Sequence, residues 1–374
     1  MSANAERLDV VVVGAGVAGA ALATALARTG LRIALVDRSP RCRPCFKAEK
    51  VEPDQADLLR ELGLFAGVRP VLTPIRSIDV AWRGRVLDTL PIEQYGVDYW
   101  ELANALRAQV PPGVVVRVGA VRGVEFGPAW QRAILADGSA LEARLVVLAC
   151  GTSPSLAKAV GIEHRPIRAG HSLAFGFDIE VERSRGAADS LTYHSERTSS
   201  RLDFLTLFPI GKRVRANLFT YLSPSDPAAR AWLQHPDEAL CQSFPRLRGL
   251  VRRISVTSRV EAQVIDLYTV PGPVRDGVLL VGDAHQSVCP ATGTGLSKVL
   301  TDVRCASERI PAWLGGSGPS AAALAGYYED ARKRACDTQS LEWAEHRRNF
   351  STRTSLRWRI HRARTWLGLA LGRG

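Results

Sequence analysis

Residues 8–37 limit what this chain can fold into more than any other stretch. Leu8-Asp9-Val10-Val11-Val12-Val13 leads into Gly14-Ala15-Gly16-Val17-Ala18-Gly19. An alanine- and leucine-rich segment runs to Gly30, and a second apolar run, 31–36, closes on Asp37. The pattern predicts a strand, a tight glycine turn, a helix and a second strand. The G-x-G-x-x-G spacing has a mechanical reading. Gly14 permits the sharp turn, Gly16 lets backbone approach a pyrophosphate with no Cβ between them, and Gly19 lets the helix lie close on the strand. Free N–H groups at the helix start, Ala15 and Gly16 among them, face an anion favourably. Asp37, 23 positions beyond Gly14, suits hydrogen bonds from ribose hydroxyls. The stretch therefore predicts a dinucleotide site. A plain βαβ unit with a glycine turn is the alternative, and this stretch alone does not separate FAD from NAD.

The chain has 374 residues, which permits two domains or one nucleotide domain with a second inserted. With 46% hydrophobic and 23% charged residues, it has enough apolar side chains for a substantial core and is not globally disordered. The net charge of +12 could attract nucleic acid, anionic lipid or an anionic substrate. Residues 341–374 hold eight Arg against Glu342 and Glu345, so half of that excess lies at the end of the chain. Seven Cys suit a reducing cytosol better than a disulfide framework. Cys42-Arg43-Pro44-Cys45 has no second pair and no neighbouring histidines to complete a zinc site, so no metal is expected. No signal peptide and no membrane-spanning apolar run is expected.

In chain order, Arg38 opens a basic loop, 38–50, that includes Lys47. Lys47 lies where the loop could return over a pyrophosphate; a solvated lysine is the other reading. A helix is expected over 52–64, with Asp54 at its start, and two or three short strands over 70–91. A helix over 99–110, a strand over 114–118 and a small antiparallel excursion over 121–135 follow, before a buried strand at 144–149. Residues 165–270 have another texture. Strands are expected at 172–181, 201–208, 213–221 and 256–265, with one Pro-bounded helix over 227–244. A core strand returns at 278–281, then a helix at 296–309 and a mainly helical end from 320. The expected division is 1–70, 98–164 and 271–310 for nucleotide binding, 71–97 and 165–270 for a sheet-based substrate domain, and 311–374 for a helical end.

A second constellation follows the strand at 278–281: Gly282-Asp283-Ala284-His285, then Pro290-Ala291-Thr292-Gly293-Thr294-Gly295. An acid at a strand end, a proline seven positions later and a Gly-x-Gly at a helix start form a sharp pattern. Asp283 suits a polyol hydroxyl. The amides of Gly293, Thr294 and Gly295 suit a carbonyl oxygen or a developing anion.

On these motifs the chain resembles the FAD-dependent aromatic hydroxylases, single-component flavoprotein monooxygenases of the p-hydroxybenzoate hydroxylase and ubiquinone-pathway hydroxylase kind. The resemblance implies an α/β fold: a Rossmann-like FAD-binding domain, an interleaved β-sheet substrate domain and C-terminal helices. It implies that Gly14, Gly16 and Gly19 face the FAD pyrophosphate and Asp37 the adenosine ribose. Asp283 would hold the ribityl chain, Pro290 would lie near the reactive edge of the flavin, and Gly293, Thr294 and Gly295 would receive its pyrimidine end. Ser297 stands where Asn is common, and Asp302 fits the acid later in the same helix. The implied reaction inserts one oxygen of O2 into an aromatic or other electron-rich small molecule through a flavin C4a-hydroperoxide, with NAD(P)H as reductant. A base would help such chemistry. His171, Tyr193, His194 and Tyr221 are open to the role but unassigned, and His285, beside the second loop, is a weak catalytic candidate.

The departures from the family pattern cluster in its middle motif, which is tied to FAD and NAD(P)H binding. Cys150 replaces Asp, Pro154 replaces Ser and Ala157 replaces Arg. Tyr99 and Lys47 each stand where Arg is common, and His285 is one position early with Gln286 in the usual place of His. They motivate an oxidase, reductase or halogenase-like enzyme fed by a separate flavin reductase; a flavin-binding protein without turnover is the third reading. The substrate is expected to be aromatic or lipophilic. In the tail, 355–374, Leu356, Ile360, Ala363 and Leu367 recur at helical spacing among Arg353, Arg357, Arg359, Arg362 and Arg364. Such a helix could lie on an anionic membrane or pack on the domain with a solvated basic face. The expected place is the cytoplasm, with contact at the inner face of the membrane under the first of these readings. No nucleic-acid module accompanies the charge.

Overall fold

The computed structural model describes residues 7–152, 154–184, 186–272 and 275–371. β1 (Arg7–Val13) passes through the glycine turn into α1 (Val17–Ala27) and back to β2 (Ile33–Asp37). The 38–50 loop ends in the two-residue β3 (Lys50–Val51), followed by α2 (Pro53–Glu61) and α3 (Phe65–Val68). A long hairpin, β4 (Thr73–Trp82) and β5 (Arg85–Gly96), precedes α4 (Tyr99–Arg107) and β6 (Val115–Val118). β7 (Val121–Phe126), β8 (Gln131–Leu135) and β9 (Ala140–Leu148) form a meander that ends before α5 (Pro154–Ala159). Then come β10 (Arg165–Arg183), β11 (Ser190–His194), β12 (Leu202–Ile210) and β13 (Arg213–Thr220). α6 (Pro227–Gln234) and α7 (Pro236–Ser243) lead to β14 (Val251–Val256), β15 (Glu261–Thr269) and β16 (Val278–Leu280). The chain finishes in α8 (Gly295–Gly315), α9 (Ala321–Tyr328), α10 (Ala331–Thr352) and α11 (Leu356–Ala370).

Two sheets organise these elements. The first has the order β6-β2-β1-β9-β8-β7, with β16 also on β9. Its β6, β2, β1, β9 and β16 pairings are parallel, and the meander is antiparallel. β1 is buried along nearly its whole length, as parallel strands covered on both faces require. The second sheet has the order β14-β10-β13-β12-β11-β4-β5-β3, with β15 also on β10. Alternation gives it two distinct faces. Leu173, Phe175, Phe177, Leu205 and Leu218 pack under Trp232 of α6 and Leu240 of α7. Ala174, Phe204 and Phe219 point the other way, toward Cys289, Ala291 and Ala344.

Several local expectations are corrected. The single helix over 227–244 is two, because Pro236 bars its predecessor from helical geometry and His235 leaves the helix at φ −137°, ψ 63°. The strand over 256–265 is two, β14 and β15. β14 pairs with Ile179–Arg183 and β15 with Arg165–Gly176 of the same long strand, so β10 runs for 19 residues where a strand over 172–181 was expected. Helix α2 starts at Pro53 and is capped by Glu52 and Gln55 rather than by Asp54. Helix α8 continues past Arg309, through Pro311, to Gly315. Two strands, β3 and β11, were not foreseen; β3 is only two residues long.

Among the described residues, no helix is long and apolar enough to cross a membrane. Helix α11 docks on the second sheet through Trp366, which stacks on Trp82 at 5.2 Å and meets His194 at 4.8 Å. Leu356, Ile360 and Leu367 on the same helix, and Leu371 just after it, stay exposed.

Candidate active site

The first loop is built by close approach. A Cβ on Gly14, which sits at φ 101°, would lie 2.6 Å from the Ala149 carbonyl oxygen at the end of β9. One on Gly19 would lie 1.8 Å from the Gly14 carbonyl oxygen. Helix α1 thus presses onto the turn only because both are glycine. At Gly16 the nearest atom to such a Cβ would be the Tyr99 hydroxyl, 3.1 Å away, and no side chain caps the helix start. Asp37 braces the loop from β2. Its Oδ2 accepts from the Ala15 amide at 2.7 Å and from Arg107 at 3.1 Å, and its Oδ1 from the Ser39 amide at 2.9 Å. Arg107, absent from the sequence reading, also donates to the Ala15 carbonyl and, at 3.0 Å, to the Ser39 carbonyl. Arg38 is exposed beside this set.

The second loop meets the first through Lys47, Tyr99 and Asp283. The Lys47 ammonium lies 5.1 Å from the Tyr99 ring centre. Burial opposes its charge, but Tyr99 and Asp283 outweigh burial and raise its pKa. Burial also raises the Asp283 carboxyl above the usual range, with Lys298 and Lys47 pulling it back. Among the described residues, nothing hydrogen-bonds or ion-pairs with that carboxylate, whereas its main-chain carbonyl accepts from Tyr268 at 2.8 Å. After the 3-10 turn Pro290–Thr292, Gly293 takes a left-handed φ of 72°, and its carbonyl accepts from Gln55 at 2.7 Å. Thr294 offers α8 no side-chain cap, and a Cβ at Gly295 would meet nothing within 4 Å. Two uncapped helix starts and a carboxylate without a partner therefore converge, a set with the chemistry to hold a dinucleotide flavin.

The second loop rests on a buried ion cluster. Asp302 accepts from the Gly282 amide at 2.8 Å, from Lys298 at 2.9 Å and from Lys333 at 2.8 Å. Asp337 accepts from Lys333 at 2.9 Å and lies 3.2 Å from Lys298. Both lysines are 0% exposed. Two cations and two anions balance, which is what makes their burial tolerable. Burial pushes the Asp302 carboxyl up, but Lys298 and Lys333 outweigh it and bring it to about 2. His285 belongs to this cluster. Its Nδ1 is 3.2 Å from the Lys333 ammonium. Burial, then Lys333 and Lys298, push its pKa down to about 2, so it is neutral and braced. It receives no catalytic role here.

Of the remaining basic candidates, His171 and Tyr221 meet edge-on at 5.8 Å, while Tyr193 and His194 lie elsewhere on the sheet. Tyr193 lies in the core under α6, with its hydroxyl on Glu196 at 2.7 Å. His194 is pushed to about 3 by burial and Arg347. Tyr221 bonds Asp203 at 3.2 Å. His171 is fully buried, at about 4 through burial and Arg348.

Glu49 is the group that sequence reasoning missed. It is 4% exposed, and its Oε2 accepts from Arg215 Nε at 2.8 Å. The Asn217 amide nitrogen, turned toward it, donates at 2.9 Å. Arg215 also reaches Glu261 at 2.6 Å and sits 5.5 Å from the Phe46 ring centre. Phe46 in turn packs with Cys289 and Ala291. Burial raises Glu49 from 4.5 to about 7 against the pull of Arg215, with Asp98 and Glu261 adding to the rise. The only sequence signal was a lone acid in a basic loop.

In the middle motif, Cys150 lies against the glycine turn, its Cα 2.9 Å from where a Gly14 Cβ would sit. Ala157 is buried with Leu156, Val160 and Ile162 in an apolar cluster.

A family model described as an FAD binding domain matches residues 7–341. The chain belongs to this FAD-binding family. It is an FAD-dependent oxidoreductase, with the fold of the p-hydroxybenzoate hydroxylase-like flavoproteins. It is 27% identical over 337 residues to the 3-amino-4-hydroxybenzoate 2-monooxygenase of Streptomyces platensis, covering 85% of this chain and 83% of that one. It is 27% identical over 329 residues to digeranylgeranylglycerophospholipid reductase 1 of Methanopyrus kandleri, covering 81% and 80%. The solved p-nitrophenol 4-monooxygenase of Pseudomonas putida superposes with a TM-score of 0.80 at 16% identity, covering 98% of this chain and 94% of that one, a likeness of fold.

Replacing Lys333 by Met leaves Asp302 and Asp337 short of a cation in a dry interior. A loss of about 3–5 kcal/mol in unfolding free energy is expected, measured by urea denaturation of the FAD-loaded protein.

Proposed function

We propose that this chain is an FAD-dependent monooxygenase that transfers one oxygen atom of O2 to an aromatic or other electron-rich small molecule, with NAD(P)H as reductant. The observation that carries the reading is Phe46. It joins the Cys289–Ala291 turn to the apolar face of the second sheet on one side and to the buried Glu49–Arg215 pair on the other. In this reading the helix-start amides around Gly16 and Gly19 hold the pyrophosphate, with Lys47 and Arg38 as its cations, while the Gly14 and Ala15 amides shape the turn by staying on the Val36 carbonyl and Asp37. Asp37 takes the ribose, Asp283 the ribityl hydroxyls, and Pro290, Gly293, Thr294 and Gly295 the ring. FAD, when bound, supplies the electron transfer and the activation of oxygen.

The chain's own residues supply position and protons. Ala174, Phe204, Phe219 and Phe46 offer a ring-bearing substrate a surface that excludes water. Glu49 accepts the proton of a phenol-like hydroxyl, leaving its electron pair on the ring oxygen and making the ring more nucleophilic. Arg215 and Asn217 hold the carboxylate still for that transfer.

A second electron source has its own support. Ala157 stands in an apolar cluster where the resemblance expects an arginine, which favours reduction by a separate flavin reductase. We also infer a cytoplasmic protein with peripheral contact at the inner membrane face. The exposed Leu356, Ile360 and Leu367 share α11 with exposed Arg357, Arg359 and Arg364, and exposed Leu371 follows it, as an anionic surface favours.

Under anaerobic conditions NADPH or NADH, with a panel of phenolic acids, is expected to bleach the bound flavin. After air is admitted, a hydroxylated product should appear. Bleaching only after addition of a flavin reductase moves the assignment to the two-component reading, and no oxygenated product in either arm sinks the monooxygenase. With its pKa near 7 rather than 4.5, Glu49 is half ionised at neutrality. Turnover should therefore rise with pH through about 7 and level off. Glu49→Gln should lower kcat by about 100-fold or more and erase that limb, as read in kcat–pH profiles. On vesicles, Ile360→Glu with Leu367→Glu should cut co-sedimentation with phosphatidylglycerol by about tenfold; unchanged partitioning would dispose of the membrane contact.

A further inference from the structure

A cavity of about 430 Å3 lies between the second sheet and the C-terminal helices, away from both glycine loops. Its aromatic walls come from four elements. Trp82 at the end of β4 stacks on Trp366 of α11 at 5.2 Å, and His194 of β11 meets Trp366 at 4.8 Å. Phe350 of α10 closes the set, 5.6 Å from Trp366 and edge-on to it. These rings touch one another, and together they give the cavity a rigid aromatic wall on which another flat ring or an extended apolar body can lie.

The same walls carry Arg83, Arg197, Arg359 and Arg362. The acids on the lining are occupied elsewhere. Asp203 accepts from Arg347 at 2.7 Å and Ser351 at 2.8 Å, and Glu196 accepts from Tyr193 at 2.7 Å and the Arg246 amide at 3.1 Å. Among the described residues, Arg83, Arg197 and Arg359 have no carboxylate partner, and Arg362 reaches only the Phe350 carbonyl, at 2.7 Å. Burial and the neighbouring Arg359 both lower the Arg362 pKa, the signature of crowded cations without a counter-ion. His194, held neutral, adds no charge. Arg83 also occupies a left-handed φ of 50° at the β4–β5 turn, a place where Gly or Asn is the easy choice. There its guanidinium lies 4.4 Å from the Trp82 ring centre, at the rim of the slot.

We propose that this cavity is a second ligand site, separate from the flavin loops, that takes a carboxylate or phosphate carried on an aromatic or extended apolar body. The rings hold the body, and Arg83, Arg197 and Arg359 hold the anion through charge-assisted hydrogen bonds. The site belongs to the same sheet face as the flavin-directed cluster. His194 lies 5.8 Å from Phe204, which lies 4.9 Å from Phe219, so a row of rings links the two places.

The test uses the FAD-loaded full chain, titrated with 1-naphthyl phosphate, 2-naphthoate and neutral 1-naphthol. Binding is read by tryptophan fluorescence and calorimetry, with the flavin absorbance recorded in parallel. Both anions should bind, with 1-naphthol at least tenfold weaker. Arg83→Ser with Arg359→Ser should weaken the anions tenfold or more. Both residues are exposed, so FAD content should be unchanged. Trp366→Leu should reduce binding of the anions while sparing the flavin spectrum. Equal binding of 1-naphthol, or anion binding that survives the double substitution, overturns the site. So does quenching that tracks a shift in the flavin spectrum in both wild type and variant. A competition arm with dihexanoyl phosphatidic acid, below its micelle concentration, separates the sources. Displacement of the probe assigns the anion to lipid, and retention of the probe assigns it to a soluble acid.

Discussion

The second glycine loop stands on four buried charges. Lys298, Asp302, Lys333 and Asp337 come from two helices, and the Gly282 amide is bonded directly to one of them. A cluster of this kind adds little net stability over an apolar replacement, but it tolerates no missing member. Its value here is geometric. It sets the height of the 282–286 loop above α8 and holds His285 neutral beneath it. Both lysines spend their hydrogen bonds within this set, and among the described residues the Asp283 carboxylate is left without one, although Lys298 still pulls its pKa down.

The first loop reaches the same place by another route. Its shape comes from contacts too short for any side chain, and its orientation from Asp37 and Arg107, which close a ring of hydrogen bonds around Ala15 and Ser39. Tyr99 and Lys47 bridge the two loops. Positions where the sequence resemblance leads one to expect arginine thus hold a ring and an ammonium in mutual contact, another way of presenting positive charge to the same region.

What was legible in the sequence was what depends on local period and turn chemistry. The strand, turn, helix and strand of 7–37 could be read because parallel burial makes an unbroken apolar run and the glycine spacing has few other uses. The loop at 282–295 was legible for the same reason. The broken helix at His235 was foreseeable from Pro236 alone. The division of β14 from β15 was not, since it follows from two strands sharing one long partner. Glu49 and the ion cluster were hidden by distance along the chain. Glu49 meets Arg215 across 166 positions and Asp302 meets Lys333 across 31. Only the spacing of four within Lys298/Asp302 and Lys333/Asp337 was visible beforehand.

Helix α10 is anchored at both ends by carboxylates. Lys333 and Asp337 fasten its first turns beside α8, while Arg347 and Ser351 grip Asp203 of the second sheet. Fourteen positions separate Lys333 from Arg347, roughly 20 Å of rigid rod. A strut of fixed length joined to both sheets forbids hinge-like gaping between them unless one anchorage is torn out. The 38–50 segment on the flank is fastened to both sides of this frame, by Arg107 at Ser39 and Asn104 at Cys42 on one, and by Arg215 at Glu49 on the other.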